Sequence, residues 1–228
     1  MRSSFDGEEL SPHFQVYCCT RSGCGLRFTV AVDSPADRGL QARHCPACRA
    51  VLEAVGSAFS RLAVEPGHAA APGPELEVLL DNIRSAWNVG SMLRTCDGAG
   101  VRKVHLCGVT SSPSNPKVVK TSLGAERNLL WSFSADGVSA ARGLKEQGLR
   151  LWALEGGRRS ASLFNAAGDL PGAPLVLVAG NELSGVDPGI LDLCERVVCL
   201  PMLGVKGSLN VAVAFGIAVY FIRFGRGI

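Results

Sequence analysis

From residue 75 onward, the spacing of apolar positions alternates between two periods. Short apolar runs at Leu76–Leu80, Lys103–Cys107, Leu129–Phe133, Arg150–Leu154, Leu175–Ala179 and Val197–Leu200 read as strands. Between them, Asn88–Gly98 and Asp136–Gln147 have helical spacing, and Pro116–Thr121 forms a short helical turn. A long apolar helix is predicted over Asn210–Ile222. Apolar residues surround the segment Leu209–Ile222 nearly completely, which predicts burial on more than one side. At fourteen residues it is shorter than the ~20 needed to cross a bilayer. Strands alternating with helices predict an α/β domain with a mostly parallel sheet, and ligands of such sheets sit at the carboxyl ends of the strands.

The first third of the chain has a different pattern. Leu26–Val32 (LRFTVAV) reads as one strand between two cysteine pairs, and residues 65–74 are rich in proline, glycine and alanine. This divides the chain into a small module at 14–52, a connector at 53–74 and the α/β domain at 75–228.

Composition narrows the class. Of 228 residues, 47% are hydrophobic and 19% charged, enough for packed cores and wrong for a disordered chain. Residues 1–13 carry more acid than base and no apolar run, so no signal peptide is expected there and the expected location is cytoplasmic, with no membrane partner. The net charge is only +3, which permits a nucleic-acid partner without demanding one. Arginine supplies 18 of the 23 basic residues, and its planar fork of donors suits phosphate.

Five of the nine cysteines fall within the first 48 residues. Cys19-x4-Cys24 and Cys45-x2-Cys48 are two short pairs separated by one loop, and each pair lets a tight turn present two thiolates to one tetrahedral ion. A module of this size cannot hold together by apolar burial alone, so a structural zinc ribbon is predicted, with metal ligation supplying folding energy. Cys18 is the spare thiol beside the first ligand. The ribbon would present Arg21, Arg27, Arg43 and Arg49, either to RNA or as a solvated face. Cys96, Cys107, Cys194 and Cys199 sit among apolar or helical neighbours and read as small hydrophobes.

Absent motifs remove several enzyme classes. No strand runs into G-x-G-x-x-G, and neither G-x-x-x-x-G-K-[ST] nor H-E-x-x-H occurs. An ordinary NAD enzyme, a P-loop NTPase and a zincin are therefore disfavoured. Chemistry concentrates instead in three segments that join an apolar stretch, a glycine turn and a few polar side chains. Residues 79–101 contain Asn88 and Arg94, six apart and expected to line one edge of a helix. Residues 175–187 empty a buried strand into Gly180-Asn181-Glu182, and residues 200–220 pass through Gly204 and Gly207 into Ser208-Leu209-Asn210.

These three segments, N-V-G-S-M-L-R-T, G-N-E-L-S-G-V and L-P-M-x-G-x-x-x-S-L-N-V, resemble in order the signature motifs of the SpoU (TrmH) family of RNA 2′-O-ribose methyltransferases, within the SPOUT superfamily. Lys120–Glu126 (KTSLGAE) resembles a family loop near the active site. The resemblance implies an α/β fold with a C-terminal deep trefoil knot, S-adenosylmethionine as cofactor, tRNA or rRNA as substrate, and a homodimer formed through the knot domain. Carried over by position, the cofactor pocket uses Leu154 and Glu155, then Ala179, Gly180 and Asn181, then Leu200, Met202, Ser208 and Leu209. The functional side chains map to Asn88, Arg94, Glu182, Ser208 and Asn210.

The implied reaction is displacement at a sulfonium methyl by a ribose 2′-hydroxyl, which asks chiefly for alignment and help with proton removal. A guanidinium, with a pKa above about 12, is a poor base at neutral pH. Arg94 is therefore expected to act as a fixed charge on the hydroxyl, the adjacent phosphate and the developing alkoxide. Glu182 is expected either to shape the site as a cap or ion-pair partner, or to touch substrate directly. The chain departs from the family pattern at Ala212, where a second serine is common, and in carrying the cysteine module. A non-catalytic RNA-binding or ribosome-assembly factor with the same fold, and a methyltransferase for another substrate, are the alternatives.

Overall fold

The structure, a computed structural model, describes residues 13–31, 44–60, 73–170, 172 and 174–225. It comprises two units, Met1–His68 and Ala69–Ile228.

In the first unit, β1 (His13–Cys19), β2 (Arg27–Ala31) and β3 (Leu52–Ser60) form an antiparallel sheet in the order β2-β1-β3. Tyr17 faces Phe28 across one ladder and Cys19 faces Leu52 across the other. Among the described residues the buried centre is Cys19, Cys45 and Leu52, with Tyr17, Leu26 and Phe28 partly covering it. β3 is a correction to the sequence reading, which placed residues 53–60 in the connector. With five of its nine residues alanine, glycine or serine, the segment LEAVGSAFS has no alternation strong enough to announce a strand, and pairing with β1 supplies what its own composition does not. Of the connector, residues 61–72 lie outside the described residues, as does Arg43.

In the second unit all six residues of β4 (Leu76–Asp81) and all five of β9 (Leu175–Ala179) are buried, as strands covered on both faces require. They occupy the middle of a seven-stranded sheet with order β6-β5-β4-β9-β7-β10-β8, in which every paired neighbour is parallel. The remaining strands are β5 (Lys103–Cys107), β6 (Leu130–Ser134), β7 (Arg150–Leu154), β8 (Ala161–Ser162) and β10 (Arg196–Cys199).

Side chains alternate across β4. Val78 and Leu80 pack with Val89, Met92 and Leu93 of α1 (Ala86–Gly98) and with Phe215, Val219 and Ile222 of α5 (Val211–Phe224). Leu79 points the other way, to Ala141 and Leu144 of α3 (Gly137–Glu146) and Ile190 of α4 (Pro188–Leu191). The result is three layers, helix on sheet on helix, in agreement with the α/β expectation. The short α2 (Pro116–Ser122) starts at an Asn115 cap and packs beside α1.

Within the chain, α5 is buried along one stripe only: Phe215, Ala218, Val219 and Ile222 point inward, while Val213, Ile217, Tyr220 and Phe224 are exposed. The expectation of burial on more than one side is thus not met by this chain alone.

Candidate active-site cleft and cysteine cluster

Because the strands are parallel, the carboxyl ends of β7, β9 and β10 reach one edge together, and the loops that follow enclose a cleft of about 550 Å³. Its walls are residues 154–157 after β7, residues 180–185 after β9, and residues 199–211 running into α5. Two glycines make the middle wall. A Cβ on Gly180 would run into the backbone of Gly185 and Val186, and Gly185 has φ +76 with the Glu155 carboxylate where a Cβ would go. The side chains of the loop close it further. Asn181 Oδ1 accepts from Leu183 N (2.9 Å) and Ser184 N (3.2 Å), while its Nδ2 donates to Asn82 O at 2.8 Å. Glu155 ties the β7 and β9 loops together by accepting from Gly156 N (3.0 Å) and Val186 N (2.9 Å).

Leu154, Glu155, Gly180, Asn181, Leu200, Met202, Ser208 and Leu209, all named from sequence, line this cleft, as do Glu182 and Asn210. Ala179 does not: it is fully buried as the last residue of β9 and belongs to the core beneath. Sequence reasoning missed Gly156, Gly157, Leu183, Gly185, Cys199, Gly207, Val211 and Ala214. The paired glycines directly after β7 are the signal that could have found the first two.

One chain of hydrogen bonds joins the polar residues. Glu182 Oε2 accepts from Arg84 N (2.9 Å), and Oε1 accepts from Ser85 N (3.0 Å) and Asn88 Nδ2 (2.9 Å). Asn88 Oδ1 accepts from Asn210 Nδ2 at 3.2 Å, and Asn210 Oδ1 caps α5 by accepting from Ala212 N at 2.9 Å. Ser85 caps α1. Glu182 thus sits at the amino end of α1, where the helix field favours an anion. Partial burial alone would raise its pKa, but the Arg84 and Ser85 N–H groups and the Asn88 amide outweigh that and hold the carboxyl below its ordinary 4.5. Both of its oxygens are engaged as acceptors, tying the loop after β9 to the start of α1.

A carboxylate whose folded-state pKa is depressed adds stability at neutral pH that is lost as pH falls through that value. Glu182→Gln is therefore expected to melt below the wild type at pH 7, with the gap closing as pH drops below 4.5. A gap that stays constant across a thermal-melt series from pH 7 to pH 3.5 would contradict the assignment.

Of the mapped side chains, neither Asn88 nor Arg94 lines the cleft; Asn88 is bonded to two residues that do, Glu182 and Asn210, and Arg94 is the exception. It is exposed, does not line the cleft, and makes no hydrogen bond or ion pair among the described residues. Six residues of α-helix turn about 600°, so it lies roughly 120° around the axis from Asn88, and the two do not share an edge.

In the first unit, the thiols of Cys19, Cys24, Cys45 and Cys48 all lie within 4.8 Å of one another, with Cys19–Cys48 at 3.4 Å and Cys24–Cys45 at 3.8 Å. Sulfurs at tetrahedral corners 2.3 Å from zinc would stand about 3.8 Å apart, so the donor set fits such an ion. Cys18, on the opposite face of β1, is outside the group and points toward Gly25 O. The Ala50 N–H lowers the Cys48 thiol to about 6. The Arg21 N–H lowers Cys19, but desolvation and the neighbouring thiols push it up to about 12. Four crowded thiols do not ionise together unless a cation compensates their charge. Arg21, Arg27 and Arg49 are exposed around this cluster's strands and turns.

Residues 75–220 match the family model described as the SpoU rRNA Methylase family. The chain is 33% identical over 147 residues to a tRNA (guanosine(18)-2′-O)-methyltransferase of Thermus thermophilus, covering 64% of this chain and 73% of that protein. It is 34% identical over 151 residues to the 23S rRNA (guanosine-2′-O-)-methyltransferase RlmB of Xanthomonas axonopodis, covering 66% of this chain and 59% of that one. Among solved structures, the AdoMet-bound rRNA methyltransferase of Sinorhizobium meliloti shares the fold, with a TM-score of 0.62 at 23% identity over 77% of this chain and 65% of that one. The match thus leaves a quarter to two fifths of each of these proteins uncovered.

Proposed function

The chain belongs to the SpoU rRNA methylase family, and from that premise we propose that it transfers a methyl group from S-adenosylmethionine to a ribose 2′-hydroxyl of tRNA or rRNA. The observation that carries this reading is the hydrogen-bonded chain Glu182–Asn88–Asn210 along the rim of a cleft whose floor is glycine turns and apolar side chains. The cleft fits the cofactor on its own evidence. Leu154, Leu200, Met202 and Leu209 offer apolar cover for a purine, and the glycines at 156, 157, 180 and 207 bring backbone donors and acceptors close. When bound, S-adenosylmethionine supplies a methyl already activated as a sulfonium. What remains for the chain is to hold and align the incoming hydroxyl and to ease its proton away.

In this reading Glu182 fixes the Asn88 amide, and Asn88 in turn fixes Asn210, so two carboxamides are oriented for ribose and phosphate. Ser208 stands in the same wall. Arg94 does not line the cleft of its own chain and bonds to none of its walls. A homodimer in which the exposed stripe Val213, Ile217, Tyr220 and Phe224 is covered, and Arg94 of one copy reaches the cleft of the other, answers both facts. The trefoil knot, the cytoplasmic location, and a zinc-bound ribbon presenting Arg21, Arg27 and Arg49 to RNA complete the proposal. No helix among the described residues is long and apolar enough to cross a membrane.

Methyl transfer from labelled S-adenosylmethionine to unmodified total RNA, separated into tRNA and rRNA pools, tests the reading. Label in one pool, at the ribose, is the expected result. No label in either pool, with cofactor binding intact, would favour the non-catalytic RNA-binding factor.

A further inference from the structure

Trp87 is the second residue of α1, and 45% of its surface is open to solvent. The backbone beneath the ring is firmly held. Its carbonyl accepts from Ser91 Oγ (3.0 Å) and from Thr121 Oγ1 of α2 (3.2 Å). The two helices meet so closely at Gly90 that a Cβ there would run into Thr121 and the Val118 carbonyl. The indole is thus an exposed aromatic face carried on a firmly held backbone. Lys120 of α2 places its ammonium 5.5 Å from the ring centroid.

The surroundings are cationic and unpaired. Lys120, Lys117 and Arg84 are all exposed, and none makes an ion pair among the described residues. The adjoining residue, Asn88, is the one whose side chain binds Glu182 and Asn210 at the rim of the cleft. An aromatic platform with an exposed positive arm therefore stands one residue from the place where the proposed reaction occurs.

The geometry points to Trp87 and Lys120 as a nucleobase-binding platform: a base neighbouring the methylated ribose stacks on the indole, and Lys120 pairs with the phosphate of that nucleotide. This inference rests on reading the cleft as the site of RNA methylation. Stacking on an indole tolerates any base, because every base has a π-face, so the platform holds an unstacked strand in place without reading its sequence. Lysine suits the second role, since its four-carbon stem lets one point charge follow a phosphate.

Trp87→Leu keeps apolar bulk and loses the π-face, whereas Trp87→Phe keeps a smaller one. Trp87→Leu is expected to raise KM for total RNA by about 10- to 100-fold, with kcat at saturating RNA and affinity for S-adenosylmethionine unchanged. Trp87→Phe should recover most of the loss. Binding is read separately by indole fluorescence in a Trp131→Phe background, where Trp87 and the buried Trp152 are the remaining tryptophans. An oligoadenylate should quench this signal, an abasic ribose-phosphate oligomer of equal length should not, and Trp87→Phe should abolish the response. Equal quenching by both oligomers, or a wild-type KM in Trp87→Leu, would overturn the platform. Quenching by oligoadenylate in a protein that transfers no methyl would uphold the platform and overturn the catalytic reading instead.

Discussion

Arg94→Ala is expected to lower kcat for RNA methylation by about 100-fold or more, the loss typical of deleting one preorganised donor to a developing oxyanion, while S-adenosylmethionine binds as before. The separation follows from position: Arg94 does not line the cleft and makes no hydrogen bond or ion pair with the residues that do. Its charge is unpaired and therefore free for a phosphate and for the oxygen that loses its proton as the carbon–oxygen bond forms. A Lys at this position would keep the charge but lose the planar fork, so Arg94→Lys should recover only part of the rate. If the arginine serves the partner's cleft, mixing Arg94→Ala with a cofactor-pocket variant such as Gly180→Val should restore activity to two inactive proteins. Random pairing into two-fold dimers makes half of them mixed, each with one competent site, so about a quarter of wild-type activity is the expected ceiling. Wild-type rates in Arg94→Ala, or no recovery on mixing proteins shown to exchange subunits, would remove that role.

The second large effect concerns the cysteine cluster. With a buried centre of three residues among those described, the first unit has little apolar burial there to offset the entropy of ordering its loops. Structural zinc is worth about 10–16 kcal/mol to small modules of this kind, so the metal and the fold should be gained or lost together. Cys45→Ser, at the most buried of the four ligands, is expected to abolish zinc binding and unfold β1–β3, leaving the α/β unit's melting transition in place. Cys18→Ser should keep one zinc per chain and the same amide dispersion, because Cys18 lies outside the cluster. Zinc content by atomic emission beside amide spectra of the two variants distinguishes them. Zinc retained by Cys45→Ser, or lost from Cys18→Ser, would refute the ligand set.

The buried parallel strands were the most legible part of the chain. Lys103–Cys107, Arg150–Leu154 and Leu175–Ala179 run as read, because a strand covered on both faces must be continuously apolar and its glycine or polar neighbours mark its ends. Part of the cleft wall was legible for a related reason: Gly180 directly follows a buried strand, whereas Gly185, held against the Glu155 carboxylate, gave no such signal. Structure made by distant partners was harder to see. β3 exists because β1 offers it hydrogen bonds, and β8, only Ala161–Ser162, because β10 does. The acceptor role of Glu182 depends on donors more than 90 residues away in sequence, which no local pattern announces. The spacing of Asn88 and Arg94 reads differently on the helix for a simpler reason: two turns bring seven residues, not six, back to one face.

The bond between Asn88 and Asn210 spans 122 positions of sequence, and Asn210 also begins the last helix. Contacts of such separation carry the full entropy of loop closure and form late. A chain still being synthesised therefore lacks the last wall of the cleft until the residues just before α5 are made. On this account the cleft's third wall, residues 199–211, and the Asn88–Asn210 bond are completed together as α5 emerges and docks, so a half-made copy holds neither.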